Sequence, residues 1–252
     1  MISKNDIKYF ASLNQKKFRK QEKRFLAEGL KIVLEGIESY YPAELILATY
    51  EFAESNQKTI KLLKRKNLRT ELLSSQDFQK LSDTKNPQGI IGVFRFDKLN
   101  FSTVKELPNV LVYIDNVSDP GNLGTILRNC DWFGVNEVLI STNSAEFLNP
   151  KVIRASMGSV FHLTVYDDVD FNSLFELKSK GYKIICSDLE GENISEIKFP
   201  DKFIITVSSE SLGPSEEIVR VADKFITIPK FGNAESLNVA VASGIILSRI
   251  RF

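Results

Sequence analysis

Short apolar segments recur through the second half of the sequence, and a polar or helical stretch follows each of them. The segments VLVYI, VNEVLIS, FHLTVY, GYKIICS and KFIITVS have the length and composition of buried strands. GTILRNCDWFG is typical of a helix, and Asn149 before Pro150 predicts an N-cap with proline at the first helical position. Strands that alternate with helices in this way predict an α/β fold with a mostly parallel sheet and helical crossovers.

The first half follows the same alternation. We predict helices at about Glu22 to Ser39, around residues 53–65 and at about Ser75 to Leu81, and strands near residues 44–49 and 70–73. The apolar run GIIGVFRF, which ends at Phe96, adds a further strand. These elements imply a second, smaller α/β unit.

The net charge of +1 conceals an asymmetry between the two halves. Residues 1–95 carry 18 Lys and Arg against 11 Asp and Glu, and the remainder carries 15 against 21, which gives balances of +7 and −6. We therefore predict a basic domain at 1–95, a linker at 96–106 and a second domain at 107–252. Two runs, Lys16–Arg24 and Lys58–Arg69, concentrate the positive charge. They indicate a surface that faces nucleic acid, although such runs often only solvate a helix face.

Several classes of protein are disfavoured. No stretch approaches the roughly 20 apolar residues of a membrane span, and the N-terminus has no apolar signal-peptide core, so a cytoplasmic location is expected. Cys130 and Cys186 lie far apart and form no Cys-x-x-Cys pair. We expect neither a disulfide framework nor a metal site. The one histidine, His162, lies in the apolar FHLTV segment and is expected to be structural.

Polar residues follow three of the predicted strands, where ligands of open α/β sheets bind. The first such loop, Asp115–Asn129, places Asn122 and Arg128 on either side of the start of a helix, and the helix N-terminus and Arg128 could both hold a phosphate. Alternatively, it is only a strand-to-helix turn with a capping asparagine. The loop lacks Gly-x-Gly-x-x-Gly and Gly-Lys-Ser/Thr spacing, which argues against NAD and nucleoside triphosphates.

The second and third loops carry further candidates. VSSESLGPSEEI places Glu210 directly after a strand and Gly213 before a helix. IPKFGNAESLNVAVASGIILSRI places Gly232, Ser236 and Asn238 ahead of the last helix, where the polar side chains could equally be caps. Small residues on that helix allow close approach by another helix, within the subunit or across a dimer, and they are Ala240, Ala242, Ser243 and Gly244.

Taken in order, DPGNLGTILRNCDWFG, SSESLGPS and IPKFGNAESLNVAVA closely resemble the three motifs of the SpoU, or TrmH-like, family of RNA ribose methyltransferases in the SPOUT superfamily. The resemblance spans about residues 107–252. The basic first half resembles the small RNA-binding domain that often precedes the catalytic domain in this family. The resemblance implies a parallel sheet with a C-terminal trefoil knot, S-adenosylmethionine as methyl donor to a ribose 2′-hydroxyl of RNA, and a homodimer with a shared active site.

The resemblance also assigns roles to residues. The cofactor would be lined by Ser208, Gly213, Ile228, Gly232 and Leu237. The polar catalytic set would be Asn122, Arg128, Glu210, Ser236 and Asn238. RNA would be held by Lys16, Lys17, Arg19, Lys20 and Arg24. Relatives assign the base to the position of Arg128, but a guanidinium resists deprotonation, so gripping a phosphate or orienting the hydroxyl is physically easier. Glu210 is expected to orient Asn122 or Arg128.

Two departures from the family pattern leave alternatives open. Ser208 stands where the family usually has glycine, and its side chain either crowds the cofactor or points away. Lys230 stands where methionine commonly follows Ile-Pro, and it could meet a phosphate. One alternative is a non-catalytic RNA-binding protein that retains the fold. The two-domain layout favours ribosomal over transfer RNA by analogy. A nucleotide-dependent oxidoreductase or phosphotransferase would lack its phosphate loop.

Overall fold

The computed structural model describes residues 2–101, 104 and 106–251, which form two compact units. The first unit consists of Met1–Asp97 and Leu148–Phe161, and the second of Lys98–Phe147 and His162–Phe252. The segment 148–161 thus groups with the N-terminal residues. The predicted linker at 96–106 lies partly outside the described residues, and the domain boundaries at 95 and 107 stay a prediction.

The first unit contains a four-stranded mixed sheet with helices on both faces. Its elements up to residue 95 are α1 (Lys4–Ser12), α2 (Lys16–Glu22), β1 (Arg24–Glu28), α3 (Leu30–Glu38), β2 (Ala43–Thr49), α4 (Tyr50–Ser55), α5 (Gln57–Arg65), β3 (Thr70–Leu73), α6 (Ser75–Gln79) and β4 (Ile90–Arg95). The strand order is β1-β4-β2-β3. Strand β4 is antiparallel to both neighbours, and β2 is parallel to β3. The strands predicted near 44–49 and 70–73 are confirmed.

The helix predicted from Glu22 to Ser39 is confirmed only from Leu30 to Glu38, which is α3, and is wrong before that. The chain instead forms β1 between α2 and α3, with turns at Lys23, where φ is 51°, and at Gly29, where φ is 110°. Local composition favours a helix here, but β1 is buried and pairs with β4, and this tertiary pairing outweighs the local preference. The helix predicted around 53–65 is two helices, which meet at Asn56.

An aromatic cluster fills the contact between α3 and the sheet of the first unit. Phe25 stacks on Phe94 with ring centroids 5.5 Å apart, and Phe161 lies 5.4 Å from Phe94. Gly36 on α3 faces these rings, and a Cβ built there would lie 2.5 Å from a ring carbon of Phe94. Glycine therefore allows α3 to approach the sheet closely.

The second unit is built on a six-stranded parallel sheet, as predicted. Its first elements are β5 (Val110–Asp115), α7 (Pro120–Trp132) and β6 (Glu137–Ser141), and α8 (Pro150–Ala155) with the 3-10 helix Ser159–Phe161 follows as part of the first unit. The remaining elements are β7 (Thr164–Val169), α9 (Asn172–Ser179), β8 (Lys183–Asn193), β9 (Phe203–Ser208), α10 (Glu216–Val221), β10 (Lys224–Thr227) and α11 (Val239–Arg251). The strand order is β10-β8-β9-β5-β6-β7, and all five pairings are parallel.

Local sequence sets where these helices begin. The Asp119 side chain accepts a hydrogen bond from Asn122 N over 2.8 Å, and Pro120 occupies the first turn of α7. Asn149 caps α8, as predicted, by accepting from Lys151 N. Such caps satisfy backbone donors that have no partner within the helix. Since β8, β9 and β5 are neighbouring parallel strands, the loops that leave their carboxyl ends lie side by side.

The small-residue face of α11 packs against α7 of the same chain. Asn129 Nδ2 donates to Ala240 O over 2.8 Å and to Ser243 Oγ over 2.9 Å. A Cβ built on Gly244 would lie 3.3 Å from Asn129 Nδ2. Of the two alternatives that the sequence left open for these small residues, the structure shows packing within the subunit.

Candidate functional site

Three predicted site residues from three different loops meet in one polar cluster. Glu210 Oε1 accepts from Asn238 Nδ2 over 2.8 Å and from Asn122 Nδ2 over 3.3 Å. Asn238 Nδ2 also donates to Asn122 Oδ1 over 3.0 Å. The backbone N–H of Val239 donates to the same Glu210 oxygen over 2.6 Å. The fold therefore brings together residues that lie up to 116 positions apart in the chain.

This cluster forms the start of α11. Asn238 Oδ1 accepts from Ala240 N over 3.0 Å and from Val241 N over 3.3 Å, so Asn238 caps the helix while its amide nitrogen joins the cluster. The carboxylate of Glu210 lies at the positive end of the helix dipole, where negative charge is favoured. Its second oxygen, Oε2, accepts no hydrogen bond from any described residue, which leaves an acceptor for a ligand.

A cavity of about 520 Å³ lies beside the cluster. Its walls are the middle of β8, the ends of β9 and β10 with the segments that follow them, and residues of α11. All five residues predicted to line the cofactor are in these walls, namely Ser208, Gly213, Ile228, Gly232 and Leu237. Glu210 and Ser236 of the predicted catalytic set line the cavity as well. The structure thus brings these positions together, and their binding roles stay predictions.

A buried carboxylate supports the wall formed by residues 208–215. Asp115 is 3% exposed, and its Oδ2 accepts from Ser215 N over 2.9 Å and from Ser208 Oγ over 3.5 Å. Asp115 and Ser208 are register partners on β5 and β9. Burial raises the pKa of Asp115, and the hydrogen bonds from Ser215 act in the opposite direction. Sequence reasoning missed this role, although Asp115 stands directly after the apolar VLVYI strand.

Two predicted catalytic residues lie outside the cluster. Arg128 is exposed on α7 and forms no hydrogen bond or ion pair with any residue in the described part of the chain. Ser236 is exposed at the cavity wall and likewise makes no hydrogen bond to a described residue. Within one chain, the structure therefore does not join either side chain to the Glu210 cluster.

The predicted RNA-binding set on α2 divides into exposed and structural members. Lys16, Lys17 and Lys20 are exposed. Arg19 is 1% exposed and donates to Leu13 O over 2.9 Å, so its prediction as an RNA contact is wrong. The side chain is held inside the first unit because its guanidinium satisfies a buried carbonyl. Arg24 is half-buried and donates through Nε and Nη2 to the carboxylate of Glu44.

Sequence reasoning also missed part of the cavity wall. Asp188 and Leu189 line the cavity, and Phe231 beside it is 98% exposed. The first two follow the GYKIICS strand, and that position after a parallel strand was the available signal. His162 is exposed, and its Nδ1 lies 2.9 Å from Asp131 Oδ2.

Two kinds of feature are absent from the described residues. No group of three or more His, Cys, Asp and Glu side chains among them is placed to hold a metal ion. None of the helices within the described ranges has the length and apolarity that crossing a bilayer requires.

Residues 109–248 match the model of the SpoU rRNA Methylase family, and residues 4–92 match the MRM3-like substrate binding domain. The 23S rRNA (guanosine(2553)-2′-O)-methyltransferase RlmP of Bacillus subtilis is 31% identical over 247 residues, which cover 97% of this chain and 95% of that protein. The tRNA (guanosine(18)-2′-O)-methyltransferase of Aquifex aeolicus is 34% identical over 157 residues, which cover 61% of this chain and 74% of that protein.

Solved structures agree with these relatives over the whole chain. The AdoMet-bound rRNA methyltransferase from Sinorhizobium meliloti has a TM-score of 0.85 at 26% identity and covers 100% of this chain and 95% of its own. A proposed RNA methyltransferase of the TrmH family from Porphyromonas gingivalis has a TM-score of 0.84 at 30% identity, and the match covers 100% of this chain and 98% of that chain. The chain therefore belongs to the SpoU rRNA Methylase family, a family of S-adenosylmethionine-dependent RNA 2′-O-methyltransferases.

Proposed function

We propose that this enzyme methylates a ribose 2′-hydroxyl of ribosomal RNA at the cluster formed by Glu210, Asn122 and Asn238. The observation that carries the proposal is the position of this cluster beside a cavity formed by the middle of β8 and the carboxyl ends of β9 and β10. A ligand in the cavity and an RNA ribose at the cluster would be neighbours, as a transfer between them requires.

The cavity suits S-adenosylmethionine in size and in chemistry. Its volume of about 520 Å³ falls within the range of small-molecule sites. Leu189, Leu212 and Ile246 supply apolar wall for an adenine ring, and the carboxylates of Asp188 and Glu210 balance the charge of a sulfonium. Ser208 lines the cavity, but its hydroxyl is directed to Asp115 Oδ2, which supports the alternative in which the side chain does not crowd the cofactor.

The residues of this chain act by holding the hydroxyl and the cofactor in line. Bound S-adenosylmethionine supplies an electrophilic methyl group. Glu210 holds the amide of Asn122 through Oε1. Its Oε2 remains to accept a hydrogen bond from the ribose hydroxyl and so to orient the hydroxyl oxygen. Alignment of this kind can supply much of the rate enhancement. Arg128 grips an RNA phosphate near the target ribose.

We also propose a homodimer in which Arg128 contributes to the partner's site. Arg128 is exposed and makes no hydrogen bond to the Glu210 cluster among the described residues, although it lies on the same helix as Asn122. Trp132, one turn further along α7, is 80% exposed, and Val241 and Ile245 on the adjacent α11 are 52% and 40% exposed. These exposed apolar side chains on α7 and α11 fit a second copy of the chain.

Three finer assignments accompany the proposal. Ribosomal RNA is favoured because the RlmP relative matches both halves of the chain, whereas the transfer RNA enzyme matches 61% of it. A cytoplasmic location is proposed because the RlmP relative is bacterial. The trefoil knot is proposed from the match of residues 109–248 to the SpoU family.

The test is methyl transfer with labelled S-adenosylmethionine to purified ribosomal RNA and, separately, to purified transfer RNA. We expect label in ribosomal RNA, recovered after nuclease digestion as a 2′-O-methylated nucleoside. Label in transfer RNA alone would overturn the substrate assignment. If the native protein does not bind S-adenosylmethionine in calorimetry and Ser208→Gly restores binding, the chain is instead a non-catalytic RNA-binding protein.

A further inference from the structure

Helix α5 presents a basic surface that no role described above uses. Its sequence, QKTIKLLKR, contains no acidic residue. Lys58, Lys61, Lys64 and Arg65 are all exposed, while Leu63 is fully buried. At 3.6 residues per turn, these four cations share the side of the helix that faces away from Leu63.

The charge of this surface is not neutralised by the chain. Lys58, Lys61, Lys64 and Arg65 form no ion pair or side-chain hydrogen bond with any residue that the structure describes. The cations that follow behave differently. Lys66 Nζ lies 2.8 Å from Glu38 Oε1, and Arg69 Nη2 lies 3.1 Å from Glu71 Oε1. The α5 cations therefore form a local excess of positive charge.

Helix α2, the other basic segment, is a poorer surface for a polyanion. Its Arg19 is buried, and Arg24 directly after it is paired with Glu44. Glu22 also places a negative charge on α2 itself, and its Oε2 accepts from Tyr9 over 3.1 Å. Only the lysines of α2 remain exposed. The sequence alone gives no reason to prefer one basic run over the other as a surface for nucleic acid, whereas the structure favours α5.

We propose that the exposed face of α5, formed by Lys58, Lys61, Lys64 and Arg65, binds the phosphate backbone of the substrate RNA. This inference rests on the proposed function, since it takes RNA as the ligand. Ammonium groups on flexible stems attract phosphates as point charges and do not read base edges, so the surface contributes affinity and orientation more than sequence selection. Binding at such a surface releases counterions and weakens steeply as salt rises.

The experiment compares two matched triple variants of the full chain. One is Lys58→Gln/Lys61→Gln/Lys64→Gln, and the other is Lys16→Gln/Lys17→Gln/Lys20→Gln. Both remove three exposed lysines, and glutamine retains length and helix propensity. Affinity for the RNA that the native enzyme methylates is measured by fluorescence anisotropy at several salt concentrations. Thermal unfolding and S-adenosylmethionine affinity confirm that each variant is folded.

The α5 variant should bind RNA roughly tenfold more weakly or worse at low salt, and its slope of log affinity against log salt should fall by about 2 to 3. The α2 variant should change less on both measures. Native affinity and slope in the α5 variant would overturn the inference while leaving the methyltransferase proposal intact. A larger loss in the α2 variant would also overturn it and would place the RNA on α2. If the native enzyme neither binds nor methylates RNA, both proposals fail.

Discussion

Glu210 is the residue whose replacement most directly tests the candidate site. Its Oε1 accepts hydrogen bonds from Asn122, Asn238 and the backbone N–H of Val239. Glu210→Ala removes the one acceptor that these three donors share. Glu210→Gln retains one oxygen in nearly the same place but replaces the second oxygen with an NH2 group and removes the charge. The pair of variants therefore separates the anchoring hydrogen bonds at Oε1 from the charge and the second acceptor of the carboxylate.

The structure allows the loss of stability to be sized. In Glu210→Ala, the N–H of Val239, a 5% exposed residue, loses its acceptor, which costs about 1 to 3 kcal/mol. Loss of negative charge at the start of α11 adds about 0.3 to 1 kcal/mol at an exposed site. We expect Glu210→Ala to lose about 2 kcal/mol, or on the order of 5 °C in Tm, and Glu210→Gln to lose less than about 1 kcal/mol.

Both Glu210 variants should lose activity, although only Glu210→Ala should lose much stability. Without the carboxylate, the Asn122 amide loses one of its anchors and the ribose hydroxyl loses its acceptor, so we expect kcat to fall about a hundredfold in Glu210→Ala. We expect Glu210→Gln, which is close to native in stability, to lose about tenfold or more in kcat because an NH2 group replaces Oε2, the acceptor for the ribose hydroxyl. Differential scanning calorimetry and single-turnover methyl transfer measure the two effects. Native kcat in Glu210→Gln, or an unchanged Tm in Glu210→Ala, would refute this reasoning.

Four further substitutions, at three positions, test the framework. Because burial raises the folded-state pKa of Asp115, its contribution to stability is present at low pH and is lost as pH rises through that raised pKa. In urea unfolding, the free energy of unfolding of Asp115→Asn should therefore rise relative to that of the native protein as pH increases from about 4 to 7. A difference between the two that does not change with pH would exclude the effect. Asp115→Ala should weaken S-adenosylmethionine binding in calorimetry more than Asp115→Asn does, since only Ala leaves Ser215 N without a side-chain acceptor. Gly244→Ala would place a Cβ 3.3 Å from Asn129 Nδ2, which two hydrogen bonds to α11 hold in place, so crowding should offset the roughly 1 kcal/mol that alanine gains in a helix, and denaturant unfolding should show no net gain in stability. Gly36→Ala would place a Cβ 2.5 Å from a phenylalanine ring, so a loss of about 2 to 3 kcal/mol is expected by the same measurement.

The sequence alone predicts the parallel α/β sheet of the second unit. Apolar strands such as β5 and β9, and helix starts such as Asn149 before Pro150, are encoded by neighbouring residues. The order of the three loops also identifies Asn122, Glu210 and Asn238 as candidates, because each follows a recognisable strand or precedes a helix. These features depend on local pattern and backbone chemistry, which a single sequence displays.

Other features were decided by contacts between distant parts of the chain. The segment Arg24–Glu28 is a strand because it pairs with β4, about 65 residues further along the chain. Arg19 is buried because its guanidinium reaches the carbonyl of Leu13, so the charge of the side chain was no guide to its exposure. Asp115 supports the cavity wall only because β5 and β9 place it opposite Ser208. Local composition fixes which element a segment prefers, but burial and pairing depend on which distant residues complete the contact, and only the tertiary structure supplies those partners.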